Sequence, residues 1–146
     1  GVHGRVNKLG VPSFVFSREE FIAGVPILEK LAEYDVCLIV LAGFMNKISD
    51  VILQAFPGKI VNIHPALLPK YGGKGMYGMH VHEAVVKAGE RESGITIHYI
   101  NEHYDEGAII FQASCPVLPS DTPEEVASKV HALEYAHYPH VIESLL

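Results

Sequence analysis

The sequence has no surplus of basic residues and no long apolar run, and each absence excludes a class of protein. Lys and Arg number 11 against 17 Asp and Glu, which gives a formal net charge of −6. No excess of cations is available to neutralise nucleic-acid phosphates. No apolar stretch reaches the roughly 18 residues of a transmembrane helix. We therefore expect a cytoplasmic protein that binds neither nucleic acid nor membrane.

Cysteine is also scarce. Cys37 and Cys115 both lie in apolar stretches, which indicates reduced thiols in the core, with a disulfide as the minor alternative. Histidine is more frequent, with nine residues, and His80 and His82 invite a metal site. On a helix these two side chains face apart, and no Cys or carboxylate is placed to complete a four-ligand shell. We expect no metal.

What the sequence does contain is a pattern typical of one α/β domain. Its 146 residues are 49% hydrophobic and 19% charged, which is a globular composition. Apolar, β-rich runs alternate with helical patterns, so we expect three layers, with helices flanking a mainly parallel sheet. Strands are predicted at 11–16, 35–43, 59–63, 94–100 and 108–117. Helices are predicted after Ser17, from Pro26, after Ser49, from Met79 and after Thr122.

Short-range signals mark several helix ends. Ser17 with Glu20, and Thr122 with Glu125, have the spacing of a capping box. Gly24 is predicted to end one helix, and Pro26 to begin the next. Pro139 is predicted to kink or divide the last helix.

Polar residues collect where the predicted strands end, in segments 43–48, 62–69 and 101–107. Open α/β sheets bind ligands outside the carboxyl ends of their strands. These segments therefore predict one binding site.

Asn62 and His64 lie two residues apart, so they project to the same side of an extended strand. Pro65 restricts His64 to extended backbone. A His at a sheet edge can act in acid–base chemistry, and an Asn amide can bind a carbonyl or its oxyanion. Asp105 can contact His64, raise its pKa and stabilise the imidazolium. The alternative is that His64 only bonds to backbone and that Asp105 is a turn former.

Four segments then point to a known family. "LAGFMNKIS", "NIHPALLPKYGG", "GITIHYINEHYDEGAII" and "ALEYAHYP" resemble the folate-dependent glycinamide ribonucleotide formyltransferases of purine biosynthesis, in order and over nearly the whole chain. The resemblance implies a Rossmann-like formyltransferase fold. It also implies transfer of a formyl group from 10-formyltetrahydrofolate to the amine of glycinamide ribonucleotide. Small-molecule substrates and a monomer or homodimer are expected.

The same resemblance assigns site residues. The catalytic residues would be Asn62, His64 and Asp105. Folate contacts would come from Arg18, Met45, Asn46, Lys47, Ile48, Asn62, Asn101, Glu102, His103 and Tyr104. The ribonucleotide would meet His131 and Glu134, and Thr96 and His98 would line the pocket.

The glycine-rich stretch "YGGKGMYG" (71–78) lacks the Walker phosphate-binding pattern. It is predicted to be a flap over the site hinged on Gly72, Gly73, Gly75 and Gly78, with an ordinary surface loop as the alternative. The first strand and phosphate-binding loop of the family have no counterpart here. We therefore expect residues 1–146 to be a single formyltransferase domain that is incomplete at its N-terminus. Two other functions stay open, a formyltetrahydrofolate hydrolase and a non-catalytic folate-binding fragment.

Overall fold

The computed structural model describes residues 2–101 and 107–146. Within these residues a four-stranded sheet is flanked by helices. The elements in chain order are α1 (Val2–Lys8), α2 (Arg18–Ala23), α3 (Val25–Glu33), β1 (Ile39–Leu41), α4 (Asp50–Ala55), β2 (Ile60–His64), α5 (Met79–Lys87), β3 (Glu92–Tyr99), β4 (Ile109–Pro116) and α6 (Pro123–Ser144). No helix in the described ranges is long and apolar enough to cross a membrane.

Local sequence sets the helix ends as predicted. The Glu20 amide donates to Ser17 Oγ at 3.1 Å, and the Ser17 amide donates to Glu20 Oε2 at 2.6 Å, which completes a capping box. Gly24 takes a left-handed φ of 77° between α2 and α3, a conformation that costs glycine little. Thr122 Oγ1 accepts from the Glu125 amide at 3.2 Å at the start of α6.

α6 runs from Pro123 to Ser144 without interruption, so Pro139 does not divide it. Pro139 lies on the exposed side of the helix. Water can therefore satisfy the carbonyl that a proline leaves unpaired in the preceding turn.

The expected α/β fold is confirmed, but the sheet is mixed rather than mainly parallel among the described strands. β1 and β2 are parallel, whereas β2–β3 and β3–β4 are antiparallel. β3 ends at Tyr99 and β4 begins at Ile109. This connection is shorter than the crossover that parallel neighbours need, so β4 runs antiparallel to β3.

The first predicted strand is wrong. Residues 11–16 form neither strand nor helix, and Val11, Phe14 and Val15 are exposed. β1 is also shorter than predicted and half-exposed at Val40, since it has only one neighbouring strand in the described sheet.

The two cysteines are free. Cys115 is partly buried, but Cys37 is exposed, so the prediction of a core thiol is wrong for Cys37. Cys37 lies just before β1, outside the sheet, where the apolar run is not yet covered.

Two clusters of buried side chains lie beside the sheet. One joins α5 and α6 to Ile63, Ile95 and Ile97. The other joins α3 and α4 to Leu41 and Ile60. Because strand side chains alternate, Asn62 and His64 project from β2 on the side opposite Ile63.

Candidate active site

A cavity of about 1000 Å³ opens at the carboxyl ends of β1 and β2. Its wall is formed by residues 41–45 and Lys47 after β1, by residues 62–65, by the glycine-rich loop 73–78 and by one side of α6. The cavity is large enough for a cofactor-sized ligand. It occupies the strand-end location predicted from the sequence.

Behind Asn62 and His64, polar side chains continue in a row across the neighbouring strands β3 and β4. Asn62 pairs with His98, and His64 pairs with Thr96, across β2 and β3. Thr96 in turn pairs with Gln112 on β4. Cross-strand pairs lie close on one face of a sheet. The pairing of β2, β3 and β4 therefore fixes the relative positions of these side chains.

His64 is buried, with 5% of its surface exposed, and lines the cavity. Its Nε2 lies 2.6 Å from the carbonyl oxygen of Tyr71. A carbonyl only accepts, so Nε2 carries the hydrogen of this bond.

The amide of Asn62 is held by a second histidine. Asn62 Nδ2 lies 3.3 Å from His98 Nε2, and His98 Nδ1 lies 3.1 Å from the Tyr99 carbonyl oxygen. The carbonyl can only accept, so Nδ1 carries the hydrogen of that bond, and Nε2 is the nitrogen that faces the Asn62 amide. The orientation of the Asn62 amide at the cavity wall follows from this bond.

Thr96 and His98 are completely buried and are not among the residues that line this cavity. They lie beside Asn62 and His64 because they are their cross-strand partners. Thr96 Oγ1 donates to the Ala66 carbonyl at 2.7 Å and accepts from the Leu68 amide at 3.0 Å and from Gln112 Nε2 at 2.9 Å. Thr96 thus holds the segment that follows His64.

The other predicted residues divide into three groups. Met45, Lys47, His131 and Glu134 line the cavity with Asn62 and His64. Arg18, Asn46, Ile48 and Asn101 do not line it. Glu102, His103, Tyr104 and Asp105 lie outside the described residues.

The four predicted folate-binding residues that miss the cavity do so for different reasons. Arg18 is an exposed residue of the first turn of α2, and Asn46 also faces solvent. Ile48 is buried in the core cluster with Leu41 and Ile52. Asn101 is partly buried just after β3.

Sequence reasoning missed His82 as a cavity residue. Only 2% of its surface is exposed, it lines the cavity, and its ring lies 6.5 Å from that of His131. Burial first, and then electrostatic repulsion from the nearby His131 and His64 rings, lower the pKa of His82. Its position among Val81 and Val85 on the inner side of α5 was the available signal.

His131 and Glu134 form a pair on the α6 wall, with His131 Nδ1 3.2 Å from Glu134 Oε2. One turn further along, the Tyr138 hydroxyl donates to the Leu41 carbonyl at 2.7 Å and ties α6 to β1. Among the described side chains, no three His, Cys, Asp or Glu converge to hold a metal ion.

A cavity at the strand ends, with an amide and an imidazole on its wall, suits a group-transfer enzyme, and sequence comparison gives the family. The model of the family described as "Formyl transferase" matches residues 2–142. The chain belongs to the formyl transferase family, in which its relatives are phosphoribosylglycinamide formyltransferases. The resemblance found from the sequence motifs is confirmed.

Two named relatives show what share of their length matches this chain. The chain is 42% identical over 141 residues to "Phosphoribosylglycinamide formyltransferase, chloroplastic" of Arabidopsis thaliana, covering 93% of this chain and 48% of that protein. It is 39% identical over 146 residues to the Bacillus subtilis phosphoribosylglycinamide formyltransferase, covering 97% of this chain and 72% of that protein. The chain thus spans about half of the plant relative.

Comparison with a solved structure supports the same family. Glycinamide ribonucleotide transformylase 1 from Geobacillus kaustophilus superposes with a TM-score of 0.89 at 36% identity. The match covers 99% of this chain and 77% of that one.

Proposed function

We propose that this chain carries the reaction site of a formyl transfer from 10-formyltetrahydrofolate to the amine of glycinamide ribonucleotide. The observation that supports it best is the placement of Asn62 and His64 on one side of β2, at the wall of a 1000 Å³ cavity. Family membership supports the reaction class.

The chemistry requires donors where negative charge develops. The amine attacks the formyl carbon, and the formyl oxygen becomes an oxyanion. The Asn62 amide and protonated His64 would stabilise that oxygen. Removal of one such donor typically raises the barrier by about 2.7–4 kcal/mol.

A proton must also leave the amine and reach the departing folate nitrogen. Asp105, His64 or a bound water would transfer it. Asp105 stays a prediction from the sequence, because it lies outside the described residues.

Substrate contacts are proposed for the residues on the cavity wall. The loop after β1, with Met45 and Lys47, would contact the folate, and the His131–Glu134 pair would meet the ribonucleotide. Folate contacts from Arg18, Asn46, Ile48 and Asn101 would require the ligand to extend beyond this cavity. A cytoplasmic location and a monomer or homodimer stay predictions.

Single-turnover transfer with His64→Ala tests the proposal. We expect the rate to fall by about 10²–10⁴-fold, the usual contribution of a positioned acid–base group, with folate binding largely preserved. His140→Ala is a matched control because His140 is exposed on α6 and does not line the cavity.

Three outcomes would contradict the proposal in different ways. Unchanged transfer in His64→Ala refutes the role of His64. Release of formate without an amine acceptor supports a formyltetrahydrofolate hydrolase. Folate binding without either reaction supports a non-catalytic fragment.

A further inference from the structure

We infer that the cavity contains a binding site for a phosphate group, formed by Lys74, the amides at the start of α5 and the ring of His82; we call it the α5 phosphate site. It consists of residues between 74 and 82, so it differs from the phosphate-binding loop of the family, which has no counterpart in this sequence. The phosphate would be that of the ribonucleotide, and this identification rests on the proposed function. The affinity of the site for phosphate does not.

The N-terminus of α5 meets the cavity. Gly78 and Met79 line the cavity, and the N-cap residue of this nine-residue helix is Gly78, which has no side chain to cap the first amides. The first amides of a helix have no partners within it and carry about half of a positive elementary charge. Helix termini of this kind bind phosphate and carboxylate groups.

His82 is independent evidence for a ligand. Only 2% of its surface is exposed, it lines the cavity, and its Nδ1 has no hydrogen-bond partner among the described residues. A buried polar atom without a partner is costly. Helical side chains lean toward the N-terminus of their helix, so the His82 ring lies over the turn that contains the uncapped amides. A ligand at the start of α5 can therefore reach both.

The charges on the cavity wall favour an anion. The protein has a net charge of −6, yet Glu134 is the only carboxylate among the described residues of the wall. Its Oε2 lies 3.2 Å from His131 Nδ1. Two lysines lie on the wall, and Lys47 is 3.9 Å from Asp50. Lys74 forms no ion pair with another described residue, so its ammonium group can bind a phosphate.

His82 can donate to a phosphate in its neutral form. Burial first, and then repulsion from the His131 and His64 rings, lower its pKa. A neutral imidazole still carries one N–H donor. The ring therefore needs no charge of its own, because Lys74 and the terminus of α5 supply the positive charge.

Titration of this chain with inorganic phosphate tests the inference. Long-range ¹H–¹⁵N NMR of histidine side chains follows His82 at constant pH and ionic strength, and a His82→Leu variant assigns the His82 signals. We expect a saturable shift of these signals. Ribose 5-phosphate should give the same shift and bind more tightly, and sodium chloride should give none.

Two pairs of variants separate the site from general charge, with affinity measured by calorimetry. Lys74→Met should weaken phosphate binding about tenfold, the usual effect of losing a bond between charged groups. Lys87→Met changes the net charge equally at the other end of α5 and should bind as the wild type does. His82→Leu should also lose about tenfold, and His82→Gln, which retains a donor, should recover part of it. His80→Leu is the control, because His80 is exposed and does not line the cavity.

Lys74 is exposed, so Lys74→Met tests the site even if His82→Leu does not fold. No saturable shift of His82, or wild-type affinity in Lys74→Met, would overturn the inference. Displacement of ribose 5-phosphate by folic acid would also overturn it, in favour of a site for a folate carboxylate. Phosphate binding as expected without any formyl transfer would refute the proposed function and leave the site intact. Formyl transfer without phosphate binding at His82 would do the reverse.

Discussion

Asn62 and His98 face each other across β2 and β3, and Asn62 Nδ2 lies 3.3 Å from His98 Nε2. The Tyr99 carbonyl fixes the proton of His98 on the other nitrogen. A fully buried imidazole therefore holds the rotation of an amide that faces the cavity.

Replacement of this imidazole should disturb the reaction more than substrate binding. His98→Leu leaves the Asn62 amide free to rotate, so we expect kcat to fall about tenfold, the effect of roughly 1.4 kcal/mol. Folate affinity should stay near that of the wild type. His98→Gln retains an acceptor and should recover much of the rate in the same single-turnover assay. Full activity in His98→Leu would show that the amide needs no such support.

Thr96 should matter for stability because its hydroxyl bonds to three groups of the His64 loop and β4. Thr96→Val leaves the buried Leu68 amide and Ala66 carbonyl without the hydrogen bonds that Thr96 makes to them. We expect the free energy of unfolding to fall by about 2–3 kcal/mol. Urea denaturation measures this change. Thr96→Ser keeps the oxygen and should lose less than half as much; equal losses would mean that the hydroxyl bonds contribute little.

Tyr138 connects α6 to β1 by a single hydrogen bond to Leu41. Burial raises the pKa of the Tyr138 hydroxyl. The hydroxyl therefore stays protonated, and can donate, across the pH range of ordinary unfolding experiments. Tyr138→Phe should reduce the free energy of unfolding by about 1–2 kcal/mol, measured by urea denaturation. Tyr135→Phe, on an 81% exposed tyrosine of the same helix, should change it by less than about 0.5 kcal/mol.

His82 should make stability depend on pH. Burial and the neighbouring histidines lower its pKa in the folded protein below the ordinary value of 6.5. Above that pH the ring is neutral in both states. As the pH falls below it, the unfolded chain gains a proton that the folded protein does not, so stability is lost.

The measurement is the free energy of unfolding between pH 8 and pH 5. His82→Leu should flatten the loss seen in the wild type below about pH 6.5. His80→Leu, an exposed histidine on the same helix, should retain the wild-type slope. A wild-type slope in His82→Leu would mean that the proton binds elsewhere.

The elements that could be predicted from sequence are those with local causes. The Ser17–Glu20 capping box, the Gly24–Pro26 boundary and the strand at 59–63 depend on residues a few positions apart. The failed strand at 11–16 had the right composition, but within residues 2–101 and 107–146 no strand pairs with it, and an isolated strand is not stable. The direction of β3 and β4 depends on long-range pairing that periodicity does not encode.

The candidate site divides in the same way. The common orientation of Asn62 and His64 could be predicted from their spacing, because both lie on one strand, whereas their assignment to a site came from the family resemblance. The roles of Thr96, His98 and Gln112 depend on the register of three strands. The bond between His64 and Tyr71 uses a main-chain carbonyl, which the type of residue at position 71 does not predict.

The pleat of β2 fixes the separation of Asn62 and His64, since alternate residues of a strand recur about every 6.6–6.8 Å. The loop 71–78 closes one side of the cavity without setting that separation. Insertions or deletions between Gly72 and Gly78 can therefore reshape the cavity, while the distance between Asn62 and His64 stays constant.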